Sequence, residues 1–378
     1  MPSRFIFKIN SMNDWYSINN ISEIDSPALV IYPERIKQNI AAALGMVGDV
    51  NKLRPHVKTN KMAEVCQLMM DAGINKFKCA TIAEAEMLAQ VGAPDVLLAY
   101  QPVGPKMERM IKLVKTYPNT NFSCLIDNAV TALQLSDLCE QNSVQLPIYI
   151  DVNTGMNRTG ITPQKVMDLL QQIKDYKGIH IAGLHGYDGH IRDSDITVRQ
   201  AKSDEAFECI TALAQQASSL FSYPLKLIMG GSPTFPTHAH RYGVECSPGT
   251  FVFWDWGYKH ALPDEPFEYA ALLITRVISV IDEQTVCTDL GHKSVAAENP
   301  LPRVHFFNAP DVTPIAQSEE HLVLKVQPGN HYKVGDVLYG VPVHICPTVA
   351  LYDKAYVVEH HEMIEKWKVI GRNRSINI

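Results

Sequence analysis

The stretch KFKCATIAEAEMLAQVGAPDVLLAY, residues 76–100, holds one complete structural unit. Its ends, KFKCA (76–80) and DVLLAY (95–100), are short apolar runs that suit strands. Between them, TIAEAEMLAQVG (81–92) spaces its apolar residues along one helix face. Two apolar strands joined by a helix are read as parallel neighbours buried on both faces. The alternation recurs outward in ALVIY (28–32), KLRPHV (52–57), NFSCLI (121–126), LPIYIDV (146–152), HIAGLHGY (180–187) and LKLIMG (225–230). About eight strand–helix repeats are the count of a (β/α)8 barrel. An open doubly wound sheet is the competing arrangement.

The pattern changes near residue 250. YAALLITRVISVI (269–281), EEHLVLKV (319–326), VLYGVPVHI (337–345) and KAYVVEHHEMIEKWKVI (354–370) are β-rich and weak in helical periodicity. The expected organisation is a barrel over 26–250 and an all-β domain over 251–378, joined by the N-terminal segment 1–25. A chain of 378 residues is long enough for two cores. The composition is 46% hydrophobic and 20% charged, which excludes a disordered or fibrous protein. A net charge of −6 without a basic run argues against a nucleic-acid partner. The longest apolar stretch, 269–281, is interrupted by Thr275 and Arg276 and is too short to span a bilayer. Eight irregularly spaced cysteines without a CxxC suit reduced thiols in a cytoplasmic protein.

Barrel active sites lie at the C-terminal ends of the strands. There the sequence places Lys58 after 52–57, Arg158 after 146–152, Tyr187 and His190 after 180–187, and Gly230-Gly231-Ser232-Pro233-Thr234 after 225–230. The glycine-rich loop suits an oxyanion, although a plain tight turn has the same composition. A lysine, an oxyanion loop and an arginine on one rim suggest pyridoxal 5'-phosphate: a Schiff-base lysine, a phosphate site and a cation for the ring.

RPHVKTNK (54–61), DVNTGMNRTG (151–160), GGSPT (230–234), CSPGTFVFWD (246–255), DLGHKSVAAE (289–298) and VPVHICPTVAL (341–351) together resemble the D-threonine aldolase and D-serine dehydratase family. The resemblance implies an alanine racemase-like barrel followed by a β domain, paired as a homodimer. It implies that Lys58 carries the cofactor and that Arg158 bonds the ring's 3'-oxygen. It places Tyr187 beside the ring, with Gly230, Gly231, Ser232 and Thr234 on the phosphate. Asn60 stands where the family pattern has His.

His344 and Cys346 are two apart in a run read as strand, so they share one face. Imidazole and thiolate suit Zn2+. The resemblance implies the same ion; Mn2+ is the lesser expectation, because it accompanies Asp in place of Cys. His190 is the candidate base or hydroxyl contact, and His360-His361 is read as surface. The expected activity is elimination of water from a D-3-hydroxy amino acid, giving a 2-keto acid and ammonia. Alternatives are a D-threonine aldolase, a racemase and a non-catalytic pyridoxal-phosphate carrier.

Overall fold

A computed structural model describes residues 14–329 and 331–378. Seven parallel strands follow one another in sequence order: Lys76–Cys79, Asp95–Leu98, Asn121–Ile126, Leu146–Val152, Ile179–Gly186, Lys226–Met229 and Val244–Cys246. The eighth place is filled by residues 53–57. Leu53 bridges Cys246 and His56 bridges Lys78, both in parallel. Arg54 N donates to Cys246 O at 2.8 Å and Val57 N to Lys78 O at 2.9 Å, which closes the barrel. Pro55 has no N–H, so this segment makes bridges and not a continuous ladder.

The count of eight therefore stands with one member exchanged. Ala28–Ile31, expected in the barrel, lies in the second sheet, antiparallel to Ala271–Asp282 and parallel to Lys354–Glu359. All four of its residues are buried, so it reads like a barrel strand. The true last strand, Val244–Cys246, is only three residues long and leaves no periodic signal.

Among the described residues the second sheet is mixed and has nine strands, with Ala271–Asp282 near its centre. Residues 14–25 pack on it: Asn19 N donates to His361 O (2.8 Å), and the Asn20 side chain both gives to and takes from the Met363 backbone. The N-terminal segment 1–25 was expected to join the β domain, and its residues 1–13 lie outside the described residues. The C-terminal tail returns to the barrel, where Gly371 N donates to Lys61 O (2.9 Å) and Arg109 Nη2 to Ile378 O (2.7 Å).

Inside the barrel the side chains form layers. At the bottom, the fully buried Arg54 pairs with Asp95 (2.7 Å) and Glu245 (2.7 Å), and Lys76 joins Glu245 (2.6 Å). Above lies an apolar plug of Leu97, Leu125, Tyr149 and Ile228. Above that the interior is polar again, with buried His56, Lys78, Asp151 and His185. This last layer is the floor of the site.

Arg54→Ala should destabilise the chain by about 3–5 kcal/mol, because two carboxylates then lose the buried guanidinium they share. Urea unfolding followed by circular dichroism measures it. A loss under about 1 kcal/mol would show that the cluster behaves as a solvated surface pair.

Candidate active site

Lys58 emerges where barrel closure ends. His56 N donates to Pro248 O (2.9 Å), and Lys58 N donates to His56 Nδ1 (3.3 Å), so the backbone carrying the lysine is fixed from below. Its side chain enters a cleft of about 570 Å3 shared by the barrel mouth and the second domain. Arg158, Tyr187, Gly231, Ser232, His344 and Cys346 line the same cleft.

Three cations surround the Tyr187 ring: Arg158 Cζ lies 4.8 Å from its centre, Lys78 Nζ 5.7 Å and Lys58 Nζ 5.8 Å. Lys78 was not anticipated. Burial lowers its pKa to about 7, and the charges of Lys58 and Arg158 push the same way against Asp151. His56 is also held well below the usual imidazole value by burial and by Lys58, Lys78 and Lys61. His185 contacts Asp151 through Nδ1 (2.7 Å), and its buried Nε2 has no partner among the described residues.

On the opposite wall, Ser232 Oγ accepts from Gly249 N (3.3 Å) and Thr250 N (3.2 Å). Ser247 Oγ is buried without a partner among the described residues and also lines the cleft. A Cβ on Gly249 would stand 2.8 Å from His56 O, and one on Gly231 2.8 Å from the Tyr187 ring. Close backbone and hydroxyl groups of this kind make an anion cradle. Gly230 and Thr234 do not line it. Thr234 Oγ1 donates to Asp188 (2.7 Å), and Asp188 also meets His238 (2.8 Å). A Cβ on Gly230, which has φ +78°, would strike His238 at 2.7 Å. These two residues form the foundation of the loop. Ser247, Gly249 and Thr250 line the cleft beside Ser232; the CSPGT stretch was the signal for them.

His344 and Cys346 do not share a strand. The strand ends at Pro342, and His344 caps the short helix Ile345–Val349. The turn still brings the two side chains together. Burial opposes the imidazolium of His344, yet Cys346, Asp255 and Glu298 hold its pKa up at about 9. Burial likewise raises the Cys346 thiol, but His344 and Lys58 pull it below its usual value. Thr59 Oγ1 lies 3.1 Å and Thr250 Oγ1 3.4 Å from Cys346 Sγ. Glu298 contacts His344 Nδ1 (2.5 Å), which fixes the orientation of the ring. Among the described residues no cluster of three or more His, Cys, Asp or Glu side chains is arranged around one point. A polarised thiol beside an oriented imidazole is nevertheless a donor pair that fits Zn2+.

His190 is not brought into the cleft. It is exposed and lines a neighbouring depression with Asn153, Gly155 and Lys202. Asn60 is fully buried and accepts from Met62 N (3.1 Å), so it shapes the turn after Lys58.

The family described as "Alanine racemase, N-terminal domain" matches residues 31–255. The chain belongs to that family. A second match, to a serine dehydratase domain, covers residues 270–358. The chain is 28% identical to a D-threonine aldolase of Arthrobacter sp over 94% of each chain. It is 24% identical to the D-threo-3-hydroxyaspartate dehydratase of Delftia sp. (strain HT23) over 61% of this chain and 62% of that one. One solved form of that dehydratase is a cysteine-to-alanine mutant in the metal-free form. The solved D-threonine aldolase of Filomicrobium marinum superposes with TM-score 0.85, at 24% identity over 93% of this chain and 97% of that chain. No helix among the described residues is long and apolar enough to cross a membrane.

In this alanine racemase-family barrel, Lys78 places a buried amine directly under the cleft. Its lowered pKa means that folding sheds a proton between about pH 7 and about pH 10. The penalty of a buried ammonium is therefore full below pH 7 and fades as pH rises through that window. Lys78→Met should stabilise the fold by roughly 2–4 kcal/mol at pH 6–7. Chemical denaturation at several pH values should show the gap narrowing towards pH 10. A pH-independent gap would mean that the amine stays charged in the folded chain.

Proposed function

We propose that this chain is a pyridoxal-phosphate- and zinc-dependent lyase that removes water from a D-3-hydroxy amino acid, giving a 2-keto acid and ammonia. The carrying observation is the 3.1 Å contact of Thr59 Oγ1 with Cys346 Sγ. It sets the lysine-bearing turn against the thiol of the candidate metal pair, so one small substrate can meet both.

Enzymes of the alanine racemase-like fold use pyridoxal phosphate, and the residues here fit it. Ser232 and the otherwise unpartnered Ser247 hydroxyl suit the phosphate, Arg158 the ring oxygen, and Lys58 the aldehyde. When bound, the cofactor supplies an electron sink for charge at the substrate Cα. A zinc ion on His344 and Cys346 would act as a Lewis acid towards the β-hydroxyl.

The chain's own groups do the rest. Lys58 Nζ is the cleft amine placed to hold the cofactor and to take the Cα proton. Tyr187 packs under Arg158 and fixes the guanidinium. Glu298 orients His344, and Thr59 with Thr250 orients Cys346. The Delftia relative supports elimination, and its cysteine variant is metal-free. A second reading, retro-aldol cleavage to glycine and an aldehyde, draws on the longer match to the D-threonine aldolase. That reaction asks for a base at the β-hydroxyl, and the candidate His190 lies outside the cleft. The proposal includes a homodimer, which light scattering measures.

D-Serine and D-threo-3-hydroxyaspartate should each yield ammonia and a 2-keto acid. Glycine with an aldehyde would establish the aldolase instead. Chelation, or Cys346→Ala, should reduce ammonia release to background while the visible absorbance of the lysine-bound cofactor remains. Full turnover in metal-stripped protein would exclude the zinc role. Arg158→Ala should weaken cofactor affinity by about 10- to 100-fold through loss of charge-assisted hydrogen bonds, read by titrating the cofactor into the apo chain.

A further inference from the structure

The cleft is lined by four Lys and Arg side chains: Lys58, Lys61, Arg158 and Arg192. Lys61 is ion-paired with Glu84. Lys58 and Arg158 are committed to the cofactor under the reading above. The cleft's other carboxylate, Glu298, is taken by His344. Arg192 remains. Its Nε donates to Gly189 O at 2.8 Å, and neither Nη has a partner among the described residues. The neighbouring carboxylate, Asp193, is held by Lys202 at 2.6 Å.

The turn that presents Arg192 is rigid. Ile191 N donates to Asp188 O (2.9 Å), and the Asp188 carboxylate is locked by Thr234 and His238 beneath the anion loop. Gly189 lets the Tyr187 ring lie close against that turn, because a Cβ there would stand 2.3 Å from the ring and displace it. The charge of Arg192 also reaches the metal side. Burial, Cys346 and Tyr187 push the Tyr258 phenol up, and Arg192 acts against them. A guanidinium whose fork has no partner among the described residues, on a turn lining the same cleft as Tyr187, His344 and Cys346, matches a planar carboxylate.

We propose that Arg192 is the receptor for a carboxylate of the substrate. The inference rests on the D-amino acid lyase reading and deepens it. Two carboxylates offer the same chemistry: the α-carboxylate of any amino acid, and the side-chain carboxylate of 3-hydroxyaspartate.

Succinate, which has no amine to react, tests the receptor on cofactor-loaded protein by calorimetry. Arg192→Gln should weaken succinate binding by about 10- to 100-fold, and Arg192→Lys should recover part of it. Absent binding to the wild type, or equal affinity in the Gln variant, overturns the proposal. The kinetic arm uses D-serine and D-threo-3-hydroxyaspartate and reads KM separately from kcat. A KM rise confined to hydroxyaspartate assigns the side-chain carboxylate, and an equal rise for both assigns the α-carboxylate. Unchanged KM for both refutes Arg192 as receptor. Should the wild type turn over no D-3-hydroxy amino acid, the lyase reading fails, and the succinate titration still decides Arg192.

Discussion

Residues 53–58 close the barrel through two bridges and a few backbone hydrogen bonds, because Pro55 cannot supply a ladder donor. A closure this thin needs reinforcement, and Arg54 provides it from the same segment. Its buried guanidinium spans Asp95 and Glu245, on strands to either side. Four residues later the same chain carries Lys58. The position of the lysine thus depends on an ion cluster at the opposite end of the barrel. The C-terminal tail adds a second brace through Gly371 N to Lys61 O.

Burying charge is costly unless it is paired, and the barrel treats its two polar layers differently. The lower layer is fully compensated, with Arg54, Lys76, Asp95 and Glu245 in mutual contact. The upper layer is not. Among the described residues, His185 Nε2 has no partner, and neither has the Ser247 hydroxyl across the cleft. Groups of this kind usually persist where a ligand completes them. The excess here is cationic beside the Tyr187 ring and hydroxylic at the cradle, which suits an anion seated between them.

What the sequence made legible follows from how each residue acts. Lys58, Arg158, Tyr187, Ser232, His344 and Cys346 sit in local motifs at strand ends, and all six line one cleft. Residues placed by long-range packing are less legible. Ala28–Ile31 is apolar on both faces in either sheet, so burial alone could not say which sheet owned it. Thr234 and Gly230 belong to the right loop but face Asp188 and His238, partners 46 and 8 positions away. His190 follows Tyr187 by three residues, and the tight Gly189 turn sends it outside while Arg192 stays on the cleft. Lys78 looks like an ordinary strand lysine; only barrel closure beside His56 makes it interior.

The two domains meet at Asp255, and this contact sets the His344–Cys346 pair of one against the lysine turn of the other. Its carboxylate accepts from Tyr258 N (2.8 Å) on the barrel exit and from Ile345 N (3.1 Å), between His344 and Cys346. Burial raises its pKa to about 6 against those two N–H donors. One side chain thereby caps two short helices from different parts of the chain. Thr250, on the same exit segment, reaches Cys346 Sγ, and Thr59 reaches it from the lysine turn. The thiol is therefore contacted by two hydroxyls from the barrel side, although it belongs to the second domain's segment. A shift of one domain against the other would have to break all of these contacts together, so the distance from Lys58 to the His344–Cys346 pair is a property of the fold and not of a flexible hinge.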